Sequence, residues 1–347
     1  MLDVRRTYIL RPWRRYPLHA DEDADVELRL GEDSCAEIFD GETVDPAWVW
    51  AAEKMERDDI VAVLGRPDSG KTSYTTLAAN IAVSKYGRCS VVSLDPGQTY
   101  FTPPTVVGAA SVEKQVYDLA ELKPFWQVPV GTTSAPHGTA VILETLVGLA
   151  ERLVRPVLVD MDGWVEGSAA AAHKSALLKT IRCTKAVLLN LEKDALSDAV
   201  SEAAVAVYNV PASKHVRQRA PEERKKIREW LYRRFLGDLS LRMIPRTWVE
   251  LKPVGFQGLE PGELYSQAER KLGETSEENA AKHRKRGGLV CYLYDSHNKY
   301  TSLGLFCGFD RERDAVKVLC QNCQGVKRIL VGRVFLTAEG EELFTLD

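Results

Sequence analysis

The segment Gly65–Ser73, GRPDSGKTS, satisfies G-x-x-x-x-G-K-[ST] at every fixed position. Before it lies the apolar run Ile60–Leu64, IVAVL. After it, Tyr74–Lys85 reads as a helix stopped by Gly87. A strand, a glycine-rich turn and a helix are the context in which this pattern becomes a phosphate-binding loop. Gly65 and Gly70 let the backbone curl so that several N–H groups point at one anion, and the helix N-terminus adds the positive end of its dipole. Lys71 has the reach for β- and γ-phosphates, and the Thr72 hydroxyl is placed to ligate Mg²⁺. Arg66, Pro67, Asp68 and Ser69 inside the loop, with Ser73 after it, complete the expected nucleotide cradle. The competing reading is a tight turn in an unrelated α/β protein.

At 347 residues the chain is long enough for two or three domains. Hydrophobic content of 45% and charged content of 27% are those of a soluble globular protein. No apolar run approaches the ~18 residues of a membrane span. The N-terminal MLDVRRTYILRPWRR is basic but lacks the apolar stretch of a signal peptide. The seven cysteines are odd in number and scattered, which points to reduced thiols and a cytoplasmic location.

Residues 1–56 are expected to form a small β-rich N-terminal domain. Val26–Leu30 and Cys35–Phe39 alternate with period two between Gly31 and Gly41, and a short helix covers Ala47–Met55. Residues 57–240 alternate strands and helices. Strands are predicted at Ser90–Leu94, Pro156–Val159, Ala186–Leu189 and within Ala203–Val210, and helices at Thr139–Leu153 and Ala169–Arg182. Such alternation implies an α/β fold with a mostly parallel central sheet and helices on both faces. Ligands sit at the carboxyl ends of such strands, where Asp95, Asp160 and the phosphate loop fall. Residues 241–347 read as a β-rich C-terminal domain with strands at Leu289–Tyr294, Ser302–Phe309, Ala315–Leu319 and Ile329–Leu336, after a polar helix over Ser266–Arg286 that ends in the basic run Lys282–Arg286. Cys320-Gln321-Asn322-Cys323 is the only close cysteine pair, too few ligands for a zinc site.

Lys214–Arg234 carries nine Lys or Arg against three Glu, with a helix start at Ala220-Pro221-Glu222-Glu223. Charge runs usually form a solvated face. Here the positive excess favours a surface that meets phosphates, and the lack of a long apolar stripe suggests a mobile lid over 211–237. Three further segments restrict the chemistry. Ser93-Leu94-Asp95-Pro96-Gly97-Gln98 follows a strand and offers a carboxylate to the metal or to an attacking hydroxyl. Gly131-Thr132-Thr133-Ser134-Ala135-Pro136 is a polar loop before a helix, suited to bonding backbone phosphates. In Val157–Gly167, apolar residues lead to Asp160, and Trp164 follows Gly163 where an aromatic face can stack a base, although a lone Trp is more often core filler.

The order of these motifs resembles the polynucleotide 5′-hydroxyl kinases: phosphate loop, L-D-x-G-Q, G-x-T-S-x-P, D/N-x-x-G-W-V-x-G, then an arginine-rich R-x4-R-x3-R-E helix. That family includes the kinase subunit of the pre-mRNA cleavage factor and the kinase of ribosomal-RNA processing. The short archaeal and bacterial members are most alike, and the match covers roughly residues 25–240. The resemblance implies transfer of the γ-phosphate of ATP, with Mg²⁺, to the 5′-hydroxyl end of RNA or DNA. It implies that Lys71 and Thr72 hold triphosphate and metal, and that Asp95 is the general base and a metal-side carboxylate with Gln98 beside it. Thr133, Ser134, Gly163 and Trp164 would clasp the terminal nucleotide. Arg219 and Arg224 of the lid would neutralise the transferring phosphate, with Arg217 and Arg228 on the nucleic acid. The terminal domains would seat RNA-processing protein partners. Met161 stands where the family usually has Thr, which removes a hydroxyl. The alternatives are a nucleotide-binding scaffold with little turnover, and a GTPase or small-metabolite kinase suggested by Asn190-Leu191-Glu192-Lys193-Asp194, whose spacing does not fit guanine recognition.

Overall fold

In the computed structural model, the described residues are 7–346 without 19–22, 33, 39–40, 192–194, 205, 256–257 and 274–286. The basic run Lys282–Arg286 and Glu192–Asp194 therefore lie outside the described residues. Helix α1 (Pro46–Glu53) starts at Asp45, whose side chain accepts from Ala47 N. The first sheet then builds through β1 (Ile60–Gly65), α2 (Lys71–Tyr86), β2 (Cys89–Ser93), β3 (Val106–Val112), β4 (Pro124–Pro129), α3 (Ala135–Leu146), β5 (Val157–Asp160), α4 (Gly167–Ile181), β6 (Lys185–Leu189), α5 (Ala195–Ala203) and β7 (Ala206–Val210). Its strand order is β4-β3-β2-β5-β1-β6-β7. The central pairs β2–β5, β5–β1, β1–β6 and β6–β7 are parallel, whereas β3 and β4 add an antiparallel edge. Buried on both faces, β1 and β5 read as continuous apolar runs, as parallel strands must.

Helix α6 (Pro221–Leu236) leads into the second sheet through β8 (Ser240–Pro245), β9 (Glu250–Pro253), α7 (Pro261–Gly273), β10 (Gly287–Tyr294), β11 (Tyr300–Asp310), β12 (Ala315–Cys320), β13 (Arg328–Thr337) and β14 (Glu342–Thr345). This sheet is mostly antiparallel, in the order β14-β13-β10-β11-β12-β8 with β9 parallel to β13. It docks on the first unit at two functional places. Arg333 N donates to Gly131 O (2.7 Å) at the start of the polar loop, and Tyr292 Oη donates to Thr105 Oγ1 (2.6 Å). Tyr232 and Leu236 of α6 are buried with Tyr292, Leu303 and Leu305 in one apolar cluster. Among the described residues no helix is long and apolar enough to cross a membrane.

Three expectations need correction. The strands predicted at Val26–Leu30 and Cys35–Phe39 do not form among the described residues, and Val26, Leu28 and Leu30 are exposed. Alternation gives a segment the capacity to pair, but pairing needs an edge, and none is offered to it here. The N-terminal segment is instead tied down near its start, where Arg11, Arg14 and the Tyr16 hydroxyl converge on the buried Asp118 carboxylate. Second, Cys320 and Cys323 are joined as a disulfide where free thiols are predicted. Third, α6 is not held loosely, because buried Leu231, Tyr232 and Leu236 and the Arg228–Glu342 pair pin its C-terminal half to the second sheet. The spacing of those apolar residues is masked in the sequence by the charges around them.

Candidate active site

The phosphate loop closes tightly on itself. Gly70 has φ +96°, and a Cβ there would stand 2.8 Å from Cη2 of buried Trp48, so the turn requires glycine. Trp48 is itself fixed by its indole N–H donating to Pro211 O (2.7 Å). Lys71 leaves the first turn of α2 and curls back, donating to Gly65 O (2.9 Å) and Arg66 O (2.8 Å). Thr72 Oγ1 donates to Asp160 Oδ2 (2.8 Å) at the carboxyl end of β5, the strand beside β1. Ser69 is buried in the loop, Arg66 pairs with Glu166, and Ser73 is exposed on α2.

Four acidic groups surround this lysine. Burial pushes the Lys71 ammonium down, and Asp160, Asp95, Asp162 and Asp68 act against that. Burial also pushes Asp160 up to about 6, against the pull of Lys71 and the Thr72 hydroxyl. Asp95 is raised by burial and by neighbouring Asp162, which outweigh Lys71 and two backbone N–H groups. Those N–H groups are Gly97 N (2.8 Å) and Gln98 N (3.0 Å), both on Oδ1, so Oδ2 has no hydrogen-bond partner among the described residues. Asp162 is the exception. Burial alone would raise it, but Lys174 and His173 hold its carboxyl well below the usual range.

The basic segment reaches the loop through Asp68. Its carboxylate accepts from Arg219 N (3.0 Å), Arg219 Nη1 (2.7 Å) and Arg224 Nη2 (2.9 Å). Burial opposes ionisation of Asp68, but these donors keep it below the ordinary carboxylate range. Arg224 Nε is buried without a hydrogen-bond partner among the described residues. Arg217 instead pairs with Glu223, and Arg228 makes two bonds to Glu342 (2.8 and 2.9 Å), so neither stands with Arg219 and Arg224.

The residues expected to clasp the terminal nucleotide lie on two loops, one against the Asp95 turn and one against the phosphate loop. A Cβ on Gly97 would come 2.8 Å from Thr133 O, which sets the polar loop against the Asp95 turn. Ser134 N donates to Thr132 Oγ1 (3.1 Å) and Ser134 precedes the first turn of α3. A Cβ on Gly163 would stand 2.8 Å from the Pro67 ring, so the Trp164 loop leans on the phosphate loop. Trp164 is half-buried and tilts against His173, with ring centroids 5.4 Å apart.

Sequence reasoning placed Asp95 beside Thr72 as the metal carboxylate, whereas the structure puts Asp160 in contact with that hydroxyl. The signal was present in the apolar run ending at Asp160 on a strand next to β1. Asp68 is expected in the nucleotide cradle, but its arginine partners are remote in sequence, and Asp162, His173 and Lys174 carry no motif that singles them out. The donor set fits Mg²⁺. Asp160 Oδ1 is buried with no hydrogen bond of good geometry among the described residues, although the Tyr100 hydroxyl is near enough to act on the carboxylate; beside the Thr72 hydroxyl, oxygen donors of this kind suit a hard cation that keeps phosphate and water ligands. No cluster of three or more His, Cys, Asp or Glu side chains suited to a metal occurs among the described residues.

Residues 65–237 match the family model described as the mRNA cleavage and polyadenylation factor CLP1 P-loop. The chain is 24% identical over 328 residues to a polyribonucleotide 5′-hydroxyl-kinase of Pyrococcus furiosus, covering 84% of this chain and 92% of the relative. It is 26% identical over 340 residues to the corresponding protein of Pyrococcus horikoshii, covering 86% and 92%. Among solved structures, Clp1p in complex with residues 454–563 of Pcf11p superposes with a TM-score of 0.57 at 12% identity, covering 82% of this chain and 76% of that one.

Proposed function

We propose that the chain, whose residues 65–237 match the CLP1 P-loop family model, is an ATP-dependent kinase that phosphorylates the 5′-hydroxyl end of RNA. The observation that carries this reading is the meeting of two lid arginines with the phosphate loop at Asp68. Phosphoryl transfer needs positioning and charge neutralisation more than covalent chemistry. Lys71 and the loop N–H groups hold the triphosphate, and Arg219 and Arg224 supply donors for charge that builds on the transferring group. Thr72 and Asp160 would hold Mg²⁺, with Asp95 nearby; the cation supplies neutralisation of the β- and γ-oxygens.

Asp95 is the proposed general base. Its raised proton affinity brings it nearer to neutral pH, and Oδ2 is left to accept the hydroxyl proton. Thr133, Ser134, Gly163 and Trp164 clasp the terminal nucleotide, and stacking on Trp164 accounts for recognition of an end without sequence preference. Arg217 and Arg228 fall outside this set because each is engaged with a glutamate. The terminal regions are the proposed seats for RNA-processing protein partners.

Asp95→Asn is expected to lower kcat by about 10²–10⁴-fold while sparing ATP affinity, since the amide fills the same space but takes no proton. Calorimetric ATP binding beside turnover checks this; equal losses in both would make Asp95 only a metal holder. Asp160→Asn should raise the Mg²⁺ needed for half-maximal turnover by about tenfold or more. Because Asp160 sits near 6, rising pH ionises it, so turnover at limiting Mg²⁺ should climb through that value. A Mg²⁺ titration unchanged by the substitution would remove Asp160 from the metal site.

The scaffold alternative separates cleanly. A kinase releases ADP in proportion to an added oligonucleotide with a 5′-hydroxyl end and not to the same oligonucleotide with a 5′-phosphate. A scaffold binds ATP and shows neither dependence.

A further inference from the structure

Behind the two clasp loops lies a buried polar network whose hydrogen bonds run away from the phosphate loop. Asp162 is 2% exposed, His173 4% and Lys174 0%. Asp162 Oδ1 accepts from Trp164 N (2.9 Å), fixing the turn on which the indole stands. Asp162 Oδ2 bonds His173 Nε2 (2.9 Å), and Lys174 Nζ donates to Asp162 O (3.0 Å) while pairing with the carboxylate. The other ring nitrogen, His173 Nδ1, lies 2.9 Å from Thr139 Oγ1 on α3. Thr139 Oγ1 in turn lies 3.1 Å from Ala135 O, in the first turn after Thr133 and Ser134.

We infer that His173 and Thr139 are positioning residues that lock the two halves of the 5′-end clasp into one register. The inference rests on the reading of Trp164, Thr133 and Ser134 as that clasp. Three observations argue for it. Among the described residues His173 is the side chain bonded to both sides, to Asp162 under the Trp164 turn and to Thr139 near the start of α3. Its ring also packs against Trp164, so the plane offered to a base is set by the plane of the imidazole. A stacking surface works best when its tilt is fixed, and the imidazole is the ring packed against the half-buried Trp164 indole. Finally, the network is buried and charged, an arrangement that is costly unless each member is paired, and here the members pair with one another.

Lys174 completes the balance. Burial disfavours its charge, and the Asp162 carboxylate opposes that effect. With Lys174 neutralising Asp162, the His173 ring is free to serve geometry. The hydrogen bonds of the network run to α3 and to the Trp164 turn and not to Lys71 or Thr72; only the Asp162 charge is felt at Lys71 and Asp95, and neither Thr139→Val nor His173→Gln removes it.

The test measures KM for a 5′-hydroxyl RNA oligomer and KM for ATP in five proteins: the unaltered chain, Trp164→Ala, Thr139→Val, His173→Gln, and Trp164→Ala combined with Thr139→Val. Thermal unfolding of each is recorded alongside. Thr139→Val keeps the volume and removes the hydroxyl, and His173→Gln keeps a donor for Asp162 while abandoning Thr139. The expected result is an oligomer KM raised about tenfold by Trp164→Ala and about threefold or more by Thr139→Val and His173→Gln. ATP KM stays within about twofold throughout, and the double variant is no worse than Trp164→Ala alone. The proposal is overturned if Trp164→Ala raises the oligomer KM while Thr139→Val and His173→Gln leave it unchanged. It is equally overturned if both KM values rise together, which marks a loosened fold. If Trp164→Ala leaves the oligomer KM unchanged, the clasp reading fails and takes the proposal with it.

Discussion

Lys71→Ala is expected to lower kcat at saturating ATP by about a hundredfold or more while the protein stays folded. Lys71 Nζ is held on Gly65 O and Arg66 O, so its charge is already aimed into the loop before any phosphate arrives. Preorganised charge of this kind costs no rearrangement in the transition state, which is why its loss falls on turnover. The substitution also removes the cation that restrains Asp160 and Asp95, and both carboxylates should then take up protons at higher pH than before. Two loop carbonyls lose their donor, a cost of about 1–3 kcal/mol each if they stay dry, so some loss of thermal stability is expected without unfolding. Initial rates beside thermal unfolding check both halves. A folded variant that keeps more than half of the original turnover would sink the kinase reading.

Arg219→Ala and Arg224→Ala are expected to lower kcat and kcat/KM together by about a hundredfold or more, with little change in oligonucleotide Kd. Both guanidinium groups stand at the mouth of the phosphate loop on one aspartate, and Arg224 Nε is buried with no hydrogen-bond partner among the described residues. Donors held there act on charge that develops during transfer. Arg233→Ala and Arg234→Ala should be mild. Arg233 bonds Glu339 O and pairs with Glu341, and Arg234 lies over Trp230 and Phe235, all within α6 or the second sheet. A static nucleic-acid patch predicts the opposite pattern, in which loss of Arg219 or Arg224 weakens binding and flattens its salt dependence. Single-turnover rates and salt-dependent affinities for all four variants separate the two. If Arg219→Ala and Arg224→Ala keep their single-turnover rate and lose salt slope, the segment is a binding patch.

The parallel sheet was legible because its signals are local. Ile60–Leu64, Val157–Val159 and Ala186–Leu189 are buried on both faces and bounded by turns, so each announces itself as a strand. The antiparallel edge was not. Val106–Val112 has valines only at its ends, with Gly108 and two alanines between them, and Pro124–Pro129 begins and ends in proline, so neither shows the unbroken apolar run or alternation of a strand. Their pairing comes from the neighbour's edge rather than from their own composition. The reverse failure occurred at Val26–Leu30, where a good pattern finds no partner.

The site divides in the same way. Gly65, Gly70, Lys71 and Thr72 lie within one short segment, and their spacing alone states the chemistry. The Thr72–Asp160 bond joins β5 to α2 and depends on strand order, which no spacing reveals. Asp68 is expected only as part of the nucleotide cradle, and its bond to the basic segment is not legible because Arg219 and Arg224 arrive from beyond the last strand of the first sheet. The anchoring of α6 by Arg228, Tyr232 and Leu236 was hidden because their partners belong to the second sheet. That anchoring gives the C-terminal sheet a mechanical place in the account: it holds the root of the helix whose N-terminal end reaches Asp68 of the phosphate loop, and it bonds Gly131 at the base of the polar loop.

The most direct measurement follows labelled phosphate from the γ-position of ATP, with Mg²⁺, into matched oligomers: RNA with a 5′-hydroxyl, the same RNA with a 5′-phosphate, and DNA with a 5′-hydroxyl. The account predicts label on the 5′-hydroxyl RNA, none on the 5′-phosphate RNA, and no transfer by the Lys71→Ala variant. A folded protein that binds ATP and labels no 5′-hydroxyl end, RNA or DNA, would contradict it.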